Sequence, residues 1–448
     1  MTPTPEHQAE SSLQEDELSL PDALRQTVLW HREGQVHAAA EIYRRILEQV
    51  PDHPEALHFQ GVALHQLGRS EEGLVPIHRA VALAPDYVAA YNNLGNVLKE
   101  KGRTGEAEEA YRRVIALEPR NGDGFNNLGV VLKEQGRLEE AHNAYQQAIA
   151  LEPRHADAWH NLGNVLKKLN RIEDALDAYR QAITLRPYHT EAYKNLGRML
   201  YLAERISEAA EVYRTWLGRS PGNPVARHML SACSGEEVPP RASDDYVVLT
   251  FDNFAATFDQ VLARLDYRAP MLVSEAVELA VGEPGGTLAV LDVGCGSGLC
   301  GPLLRPYAKR LTGVDLSPGM LDKASGRGAY DDLVQAELTA YLAAHPGQFD
   351  LIVAADTLCY FGELGPVTSA SARALRPGGW FVFTVEAAPD KVSESFCLQP
   401  HGRYSHTAEY VQSLLIPAEF QRVKVEQAFL RTEGGKPVDG LIVSTQHR

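Results

Sequence analysis

ADAWHNLGNVLKKLNRIEDALDAYRQAITLRP, residues 156–187, reads as a helical hairpin followed by a stop. Gly163 on the first helix lets the second approach closely, Ala175 on the second answers it, and Tyr179 fills the next gap. Pro187 ends the unit, because proline cannot continue a helix interior. Outward from this copy the same residues recur every 34 positions: Gly61, Gly95, Gly129 and Gly197; Gly73, Ala107, Ala141 and Ala209; Tyr111, Tyr145 and Tyr213; and Pro51, Pro85, Pro119, Pro153 and Pro221. Self-similarity at such a period marks an array of supersecondary units stacked on one another. Five copies run from about residue 54 to 223, and a degenerate one, PDALRQTVLWHREGQVHAAAEIYRRILEQVP, precedes them from about residue 20.

The pattern resembles the tetratricopeptide repeat, a helical hairpin with a Trp, Leu-Gly, Tyr, Ala, Phe, Pro signature. The resemblance covers nearly half the chain and implies an all-α superhelix whose concave face is lined by the first helices, a surface that binds other chains. On that face Asn93, Asn127, Asn161 and Asn195 stand two residues before each glycine, all in one register. A carboxamide offers donors and an acceptor, so such a row suits an extended peptide held by its backbone. It is similar to the asparagine ladder of the O-linked N-acetylglucosamine transferase superhelix, which holds substrate peptides that way. Asparagine also stands here in repeats with no such role, and the first two repeats have Arg25 and Phe59 instead.

After Pro221 the period stops. ARHMLSACSG (226–235) reads as a capping helix and EEVPPRASDD (236–245) as an exposed linker. The expected organisation is a disordered N-terminus (1–19), a repeat superhelix (20–235), the linker (236–245) and a second domain (246–448). In that domain apolar runs alternate with helical stretches: LAVLDVG (288–294), RLTGVD (310–315), DLIVAAD (350–356) and WFVFTVE (380–386). Short continuous apolar strands separated by helices predict a parallel sheet covered on both faces. QRVKVEQAFL and GLIVSTQ at the end read as an antiparallel pair. The fold class is multidomain, an all-α superhelix followed by an α/β Rossmann-like domain.

LDVGCGSGLCGPLL (291–304) carries the chemistry of the second domain. A strand ends near Asp292, Gly294, Gly296 and Gly298 make a tight turn, and a helix follows. Glycine is needed where the backbone bends sharply and approaches a ligand with no Cβ in the way. Gly296 to Gly301 also satisfies the dinucleotide G-x-G-x-x-G fingerprint, so the pattern alone is ambiguous. Three features decide. Asp292 would repel a pyrophosphate but can receive an amine-bearing ligand, Asp315 ends the next strand where it can hold ribose hydroxyls, and the terminal hairpin is antiparallel.

These features resemble the class I S-adenosylmethionine-dependent methyltransferases, with a seven-stranded sheet whose last strand is reversed. On that resemblance Gly294, Gly296 and Gly298 form the cofactor loop, Asp292 faces the methionine portion and Asp315 holds the ribose. Leu316, Ser317, Met320 and Leu321 flank it. Glu337 matches the family's usual Asp near the adenine amine, with a longer side chain. Asp356, at the end of the fourth strand, faces the reaction centre. Four further stretches resemble the predicted methyltransferases with attached repeats: Phe251 to Asp259, Leu265 to Pro270, Asp356 to Leu364 and Gly402 to His406. That subgroup supplies the donor and leaves the acceptor open.

Methyl transfer needs a nucleophile in line with the S–CH₃ bond, and a base only if the acceptor is protonated. The catalytic candidates are His406, Tyr404, Tyr360 and Asp356. His406 is the expected base, since imidazole titrates near neutrality; the alternative is a hydrogen-bonded histidine holding its loop. Phe254, Phe258, Tyr267 and Arg268 are expected lid or acceptor contacts, and Arg268 either grips an acceptor carboxylate or braces the lid. ADTLCYF stands where a D/N-P-P-Y/F motif would mark methylation of a planar amide or adenine nitrogen.

Composition bounds the partners. The 448 residues carry 43 Lys+Arg against 59 Asp+Glu, a formal charge of −16 that disfavours a phosphate backbone, so no nucleic-acid partner is expected. No stretch of about 18 uncharged apolar residues is present, and the first residues lack a basic and an apolar leader region, so no membrane partner is expected and the compartment reads as cytoplasmic. Cys233, Cys295, Cys300, Cys359 and Cys397 form no C-x-x-C pair and read as reduced thiols; no metal is expected. The expected function is a methyltransferase using S-adenosyl-L-methionine, with S-adenosyl-L-homocysteine as product, whose repeats recruit a peptide or protein acceptor. The alternatives are a small-molecule methyltransferase docked by its repeats to a biosynthetic partner, and a non-catalytic S-adenosylmethionine-binding adaptor.

Overall fold

The computed structural model describes residues 19–389 and 395–448; most of the stretch read as a disordered N-terminus lies outside the described residues. Helices come in pairs at the predicted period: Leu20–Arg32 with Val36–Gln49, Pro54–Gln66 with Ser70–Leu83, Val88–Glu100 with Thr104–Leu117, Gly122–Glu134 with Leu138–Leu151, Ala156–Lys168 with Ile172–Leu185, and Thr190–Leu202 with Ile206–Arg219. Each second helix stops two residues before its proline, as the restriction on the residue ahead of proline requires.

The hairpins close as a ring seated on a missing side chain. A Cβ added at Gly95, Gly129 or Gly163 would lie 2.6, 2.7 or 2.6 Å from the ring of Tyr111, Tyr145 or Tyr179. These tyrosines are fully buried, so glycine makes room for the aromatic ring itself, and Ala107, Ala141 and Ala175 pack beside it. Tyr111 and Tyr179 donate to Asn96 Oδ1 at 2.7 Å and Asn164 Oδ1 at 2.8 Å. Val130 stands at the corresponding place for Tyr145, whose hydroxyl is buried without a partner.

Contacts divide the chain between Ala192 and Tyr193, so Ile206–Arg219 and the capping helix Pro224–Ser234 count with the C-terminal unit. Asn223 caps that helix through Ala226 N, and Gly235 ends it in the left-handed region. His228 Nε2 on the capping helix meets Gly402 O at 2.8 Å, and its ring stacks on Tyr246 at 3.9 Å between centroids. The stretch read as a linker is bonded into the same unit. Pro240 O accepts from Gly362 N and Glu363 N, Ala242 N donates to Tyr360 O, and Tyr404 Oη donates to Pro239 O at 2.7 Å. Proline lacks an N–H, but its carbonyl remains a full acceptor.

The sheet contains β1 (Leu288–Val293), β2 (Ala308–Asp315), β3 (Asp332–Gln335), β4 (Phe349–Ala354), β5 (Leu375–Ala387), β6 (Phe396–Leu398), β7 (Tyr404–His406), β8 (Phe420–Glu433) and β9 (Lys436–His447). Five strands run parallel in the order β3-β2-β1-β4-β5. β9 pairs antiparallel with β5 and β8 antiparallel with β9, the predicted reversed ending. The seven-stranded expectation needs one addition: β7 pairs parallel with the last residues of β5, and β6 pairs antiparallel with β7. Alternate residues bury both faces, Leu291, Val293 and Ile352 on one side, Val290, Leu351 and Val353 on the other. The order reverses between β1 and β4, and a crevice beyond the carboxyl ends of strands at such a point is where ligands bind in open α/β sheets.

Candidate active site

The loop after β1 has Gly294, Gly296 and Gly298 at φ of 67°, 54° and 81°, a region that side chains rarely adopt. Two of the three are also sterically required: Thr357 crowds Gly294, and a Cβ on Gly298 would lie 3.0 Å from Ala324. Gly296 differs, with no atom within 4 Å of where its Cβ would point. Asp315, at the end of β2, braces this loop. Its carboxylate accepts from Gly296 N at 2.8 Å and from Ser317 N at 2.9 Å. Burial pushes Asp315 above the usual carboxylate range, and the amides of Ser317, Gly296 and Leu316 pull it part of the way back. Ser317 is the N-cap of Pro318–Gly326 and accepts from Met320 N. Leu316 O accepts from Gln335.

Asp292 is 1% exposed, and Tyr330 Oη donates to it at 2.6 Å. Burial pushes its carboxyl up to about 7 against the Tyr330 bond, with Asp315 adding repulsion. One oxygen is therefore occupied by a tyrosine 38 residues away that the sequence reading did not assign. Glu337 caps Leu338–Ala344 through Oε2, which accepts from Ala340 N at 2.7 Å, while its Oε1 is buried with no hydrogen-bond partner.

Two aspartates of the Phe251–Asp259 stretch reach this site, Asp252 at the turn after β2 and Asp259 at the loop after β1, and neither was singled out from the sequence. Asp252 Oδ1 accepts from Ser317 Oγ at 2.5 Å and Gly319 N at 3.1 Å. Asp259 accepts from Ser297 Oγ at 2.7 Å and pairs with Arg327 at 2.7 Å. Beside them Phe251, Phe254, Phe258 and Tyr360 form an edge-to-face cluster, with centroids 5.4 to 6.1 Å apart. The predicted lid residues Phe254 and Phe258 thus lie together with Tyr360. Tyr267 is kept neutral by burial, with the Asp356 charge raising its hydroxyl further. Arg268 has an exposed side chain, and its backbone N donates to Leu430 O.

Asp356 follows β4 with φ of 54°, uncommon for a residue other than glycine, and its N donates to Thr384 Oγ1 at 2.7 Å. Its carboxylate is held by Arg431 of β8, 2.8 Å from Nη1 to each oxygen. Arg431 is 3% exposed and also bonds Glu386. Arg403 in turn bonds Glu386 and Glu433. Burial opposes ionisation of Glu386, but the Arg403 and Arg431 charges hold it below the usual range. His401, 3.4 Å from Glu386, is pushed down to about 4 chiefly by burial and is neutral. Donor atoms of Asp356, Cys359 and Glu386 lie within 4.8 Å of one another, but the Arg431 guanidinium already bonds both carboxylates, so the positive charge there is supplied by the protein.

Two catalytic expectations need correction. His406 has no exposed surface, its Nε2 meets Gly362 O at 3.2 Å, and Phe396 and Tyr410 flank its ring. Burial pushes it down to about 4. Its contact with Gly362 O fits the alternative given above, a histidine bonded to its loop, and pairing of β7 to β5 draws it inside. Tyr404 is equally buried, and its hydroxyl is spent on Pro239 O.

In the repeats, Asn127 Nδ2 donates to Asn92 Oδ1 at 3.1 Å and Asn161 Nδ2 to Asn126 Oδ1 at 3.0 Å, while Asn93 Nδ2 meets His58 Nε2 at 2.7 Å. Consecutive first helices are thus tied by their amides, and the carbonyls of Asn127 and Asn161 accept no bond in these pairs. Asn195 keeps the register at the start of the C-terminal unit.

An order β3-β2-β1-β4-β5 closed by a reversed strand, with a three-glycine loop after β1 and a carboxylate after β2, defines a Rossmann-like methyltransferase fold. The comparisons agree. Residues 291–383 match the methyltransferase domain family, and 32–76, 88–121, 126–190 and 160–224 match the tetratricopeptide repeat. The chain therefore carries tetratricopeptide repeats followed by a methyltransferase domain, of a family that draws its methyl group from S-adenosylmethionine. It is 34% identical over 161 residues to a ubiquinone biosynthesis O-methyltransferase of Thiobacillus denitrificans, covering 32% of this chain and 65% of that one. Over 136 residues it is 35% identical to methyltransferase-like protein 27 of Homo sapiens, covering 30% and 55%. The chain thus spans under two thirds of these relatives. Among solved structures, YrrB, a repeat protein, is 23% identical, covers 42% of this chain and 97% of its own, and has a TM-score of 0.35. No helix among the described residues is long and apolar enough to cross a membrane.

Proposed function

We propose that this chain is a cytoplasmic S-adenosylmethionine-dependent methyltransferase in which repeats spanning residues 20–235 recruit a peptide or protein acceptor for a catalytic domain spanning 246–448. The observation that carries the donor assignment is the open space above Gly296, whose N donates to the Asp315 carboxylate, together with the buried oxygen of Glu337 that lacks a partner. Those residues fit the group: Gly294, Gly296 and Gly298 let backbone approach it, Asp315 takes its ribose hydroxyls, and Glu337 Oε1 its adenine amine. Asp292 with Tyr330, Leu316, Ser317 and Met320 support that wall. Five free thiols suit a reducing compartment.

When bound, the donor supplies an electrophilic methyl on a sulfonium. The chain's own part is to orient and to exclude water. Phe254, Phe258 and Tyr360, latched through Asp252 and Asp259, cover the crevice, and neutral Tyr267 and Tyr360 can each offer a hydroxyl to an acceptor. Asp356, steadied by Arg431, presents a carboxylate at the acceptor end. Asn93, Asn127, Asn161 and Asn195 hold the acceptor's backbone, raising its effective concentration at the second domain.

The test is methyl-labelled S-adenosylmethionine with purified chain in lysate, with Asp315→Ala as blank. Label in a protein band that vanishes when the four asparagines become alanine is the expected result; label confined to small molecules overturns the recruiter. That second outcome belongs to the reading favoured by the likeness to a ubiquinone biosynthesis O-methyltransferase, a small-molecule acceptor with the repeats as docking scaffold.

A further inference from the structure

The turn between β6 and β7 is held in place by the capping helix Pro224–Ser234, which counts with the same C-terminal unit. β7 pairs with β5 at Ser405 and His406, opposite Glu386 and Ala387, so the turn ahead of it has left the sheet. It closes on itself, with Gly402 N donating to Gln399 O and Gln399 N to Arg403 O, both at 2.8 Å. His228 Nε2 on the capping helix is 2.8 Å from Gly402 O. A carbonyl only accepts, so the imidazole donates there, in the neutral form that burial favours. Gly402 has φ of 90°, and a Cβ on it would lie 2.9 Å from Met229 Sδ and from Tyr246 Oη. Ala232 shares a buried cluster with Leu398 and Tyr404, and Cys233 Sγ meets Pro400 O at 3.7 Å. Tyr201, on the first helix of the last repeat, meets His401 edge-on at 6.2 Å between ring centroids.

Arg403 runs from this turn into the ionic chain behind Asp356. Its guanidinium bonds Glu386 and Glu433, and Glu386 shares Arg431 with Asp356. Two cations thus serve three carboxylates, and Glu386 bonds to both cations. With Arg403 out of place, Glu386 would keep Arg431 alone, and Arg431 would be drawn toward it at the expense of Asp356, because a buried carboxylate needs a full set of donors. The place of Arg403 is set by its turn, and the place of the turn by His228, Met229 and Cys233.

Resting on the reading above in which Asp356 presents its carboxylate at the acceptor end, we propose that Arg403 is a positioning residue for Asp356, acting through Glu386 and Arg431, and that the capping helix sets Arg403 by holding its turn. The helix that closes the repeat array is then also a support of the acceptor site, and the machinery of transfer begins before residue 246.

The experiment compares full-length parent, His228→Ala, His228→Gln and Arg403→Met by hydrogen exchange read in a mass spectrometer, by calorimetric affinity for S-adenosylhomocysteine, and by label transferred from methyl-labelled S-adenosylmethionine in lysate. His228→Ala should raise exchange about tenfold in residues 398–406 and, through the ionic chain, in 355–360. It should lower transferred label about tenfold or more while affinity for S-adenosylhomocysteine stays within about twofold. Arg403→Met should reproduce the change at 355–360, and His228→Gln, which keeps a donor at similar reach, should restore the parent's values. Faster exchange confined to 398–406, with label unchanged, overturns the positioning role and leaves a helix that merely props its loop. Loss of S-adenosylhomocysteine affinity in step with label overturns it as well, since the damage is then general. A parent that labels nothing overturns the methyltransferase reading instead, and exchange at 355–360 still decides whether the capping helix sets Asp356.

Discussion

Arg431 on β8 holds both carboxylate oxygens of Asp356 through a single nitrogen, 2.8 Å to each, across 75 positions of chain. The same guanidinium bonds Glu386, so one cation joins the ends of β4, β5 and β8. A buried cation that satisfies two anions stabilises mainly by what its loss would leave behind.

Arg431→Met should therefore lower unfolding free energy by about 3–5 kcal/mol, since it strands two carboxylates. Asp356→Asn should cost less. The two changes should be non-additive in a double-mutant cycle of denaturation midpoints, and additive values would show that the pair is not coupled.

Asp292 makes a pH prediction. Its carboxyl is pushed from an ordinary 3.8 up to about 7, so over that interval the folded chain keeps a proton that the unfolded chain has released. Stability contributed by this group is thus lost as pH rises, by at most on the order of 2–4 kcal/mol. Asp292→Asn removes the dependence. Denaturation midpoints of parent and variant should diverge as pH rises from about 4 to about 7, with the parent falling; parallel curves would contradict the shift.

Gly296→Ala separates ligand approach from folding. No protein atom opposes the new Cβ, and the left-handed φ costs about 1–2 kcal/mol. The variant should fold with a modest loss of melting temperature while calorimetric affinity for S-adenosylhomocysteine drops about tenfold or more. Unchanged affinity would remove Gly296 from the donor site.

Val130→Asn should stabilise the repeats. Tyr111 and Tyr179 each donate to an asparagine, and Tyr145 has valine at the equivalent place and a buried, unpartnered hydroxyl. Supplying the acceptor should add about 1 kcal/mol, read as a rise in thermal midpoint. No rise would mean that the hydroxyl is not bonded by the new side chain.

The repeats and the glycine turn were legible because their causes are local. A 34-residue register, a proline after each hairpin and three glycines at alternate positions act within one or two turns of chain. The partners of the polar groups were not legible. Tyr330 meets Asp292 and Arg431 meets Asp356 only after strands far apart in sequence are laid side by side, and nothing in the spacing of either pair marks it. Asp252 and Asp259 lay inside a quoted motif, where the signal available was two acids flanking an apolar helix start. The β6–β7 pair escaped because three-residue strands carry too little periodicity to see.

His406 shows the limit from the other side. Its residue type suggested a base near neutrality, yet parallel pairing of three residues to the end of β5 takes it out of water and lowers its affinity for a proton. The sequence alone determined the repeat helices, the longer strands and the glycine turn, because propensity, proline and glycine act along the chain. Which ionisable groups face one another, and so which can serve chemistry, was decided only by the tertiary structure, because burial and charge act through space.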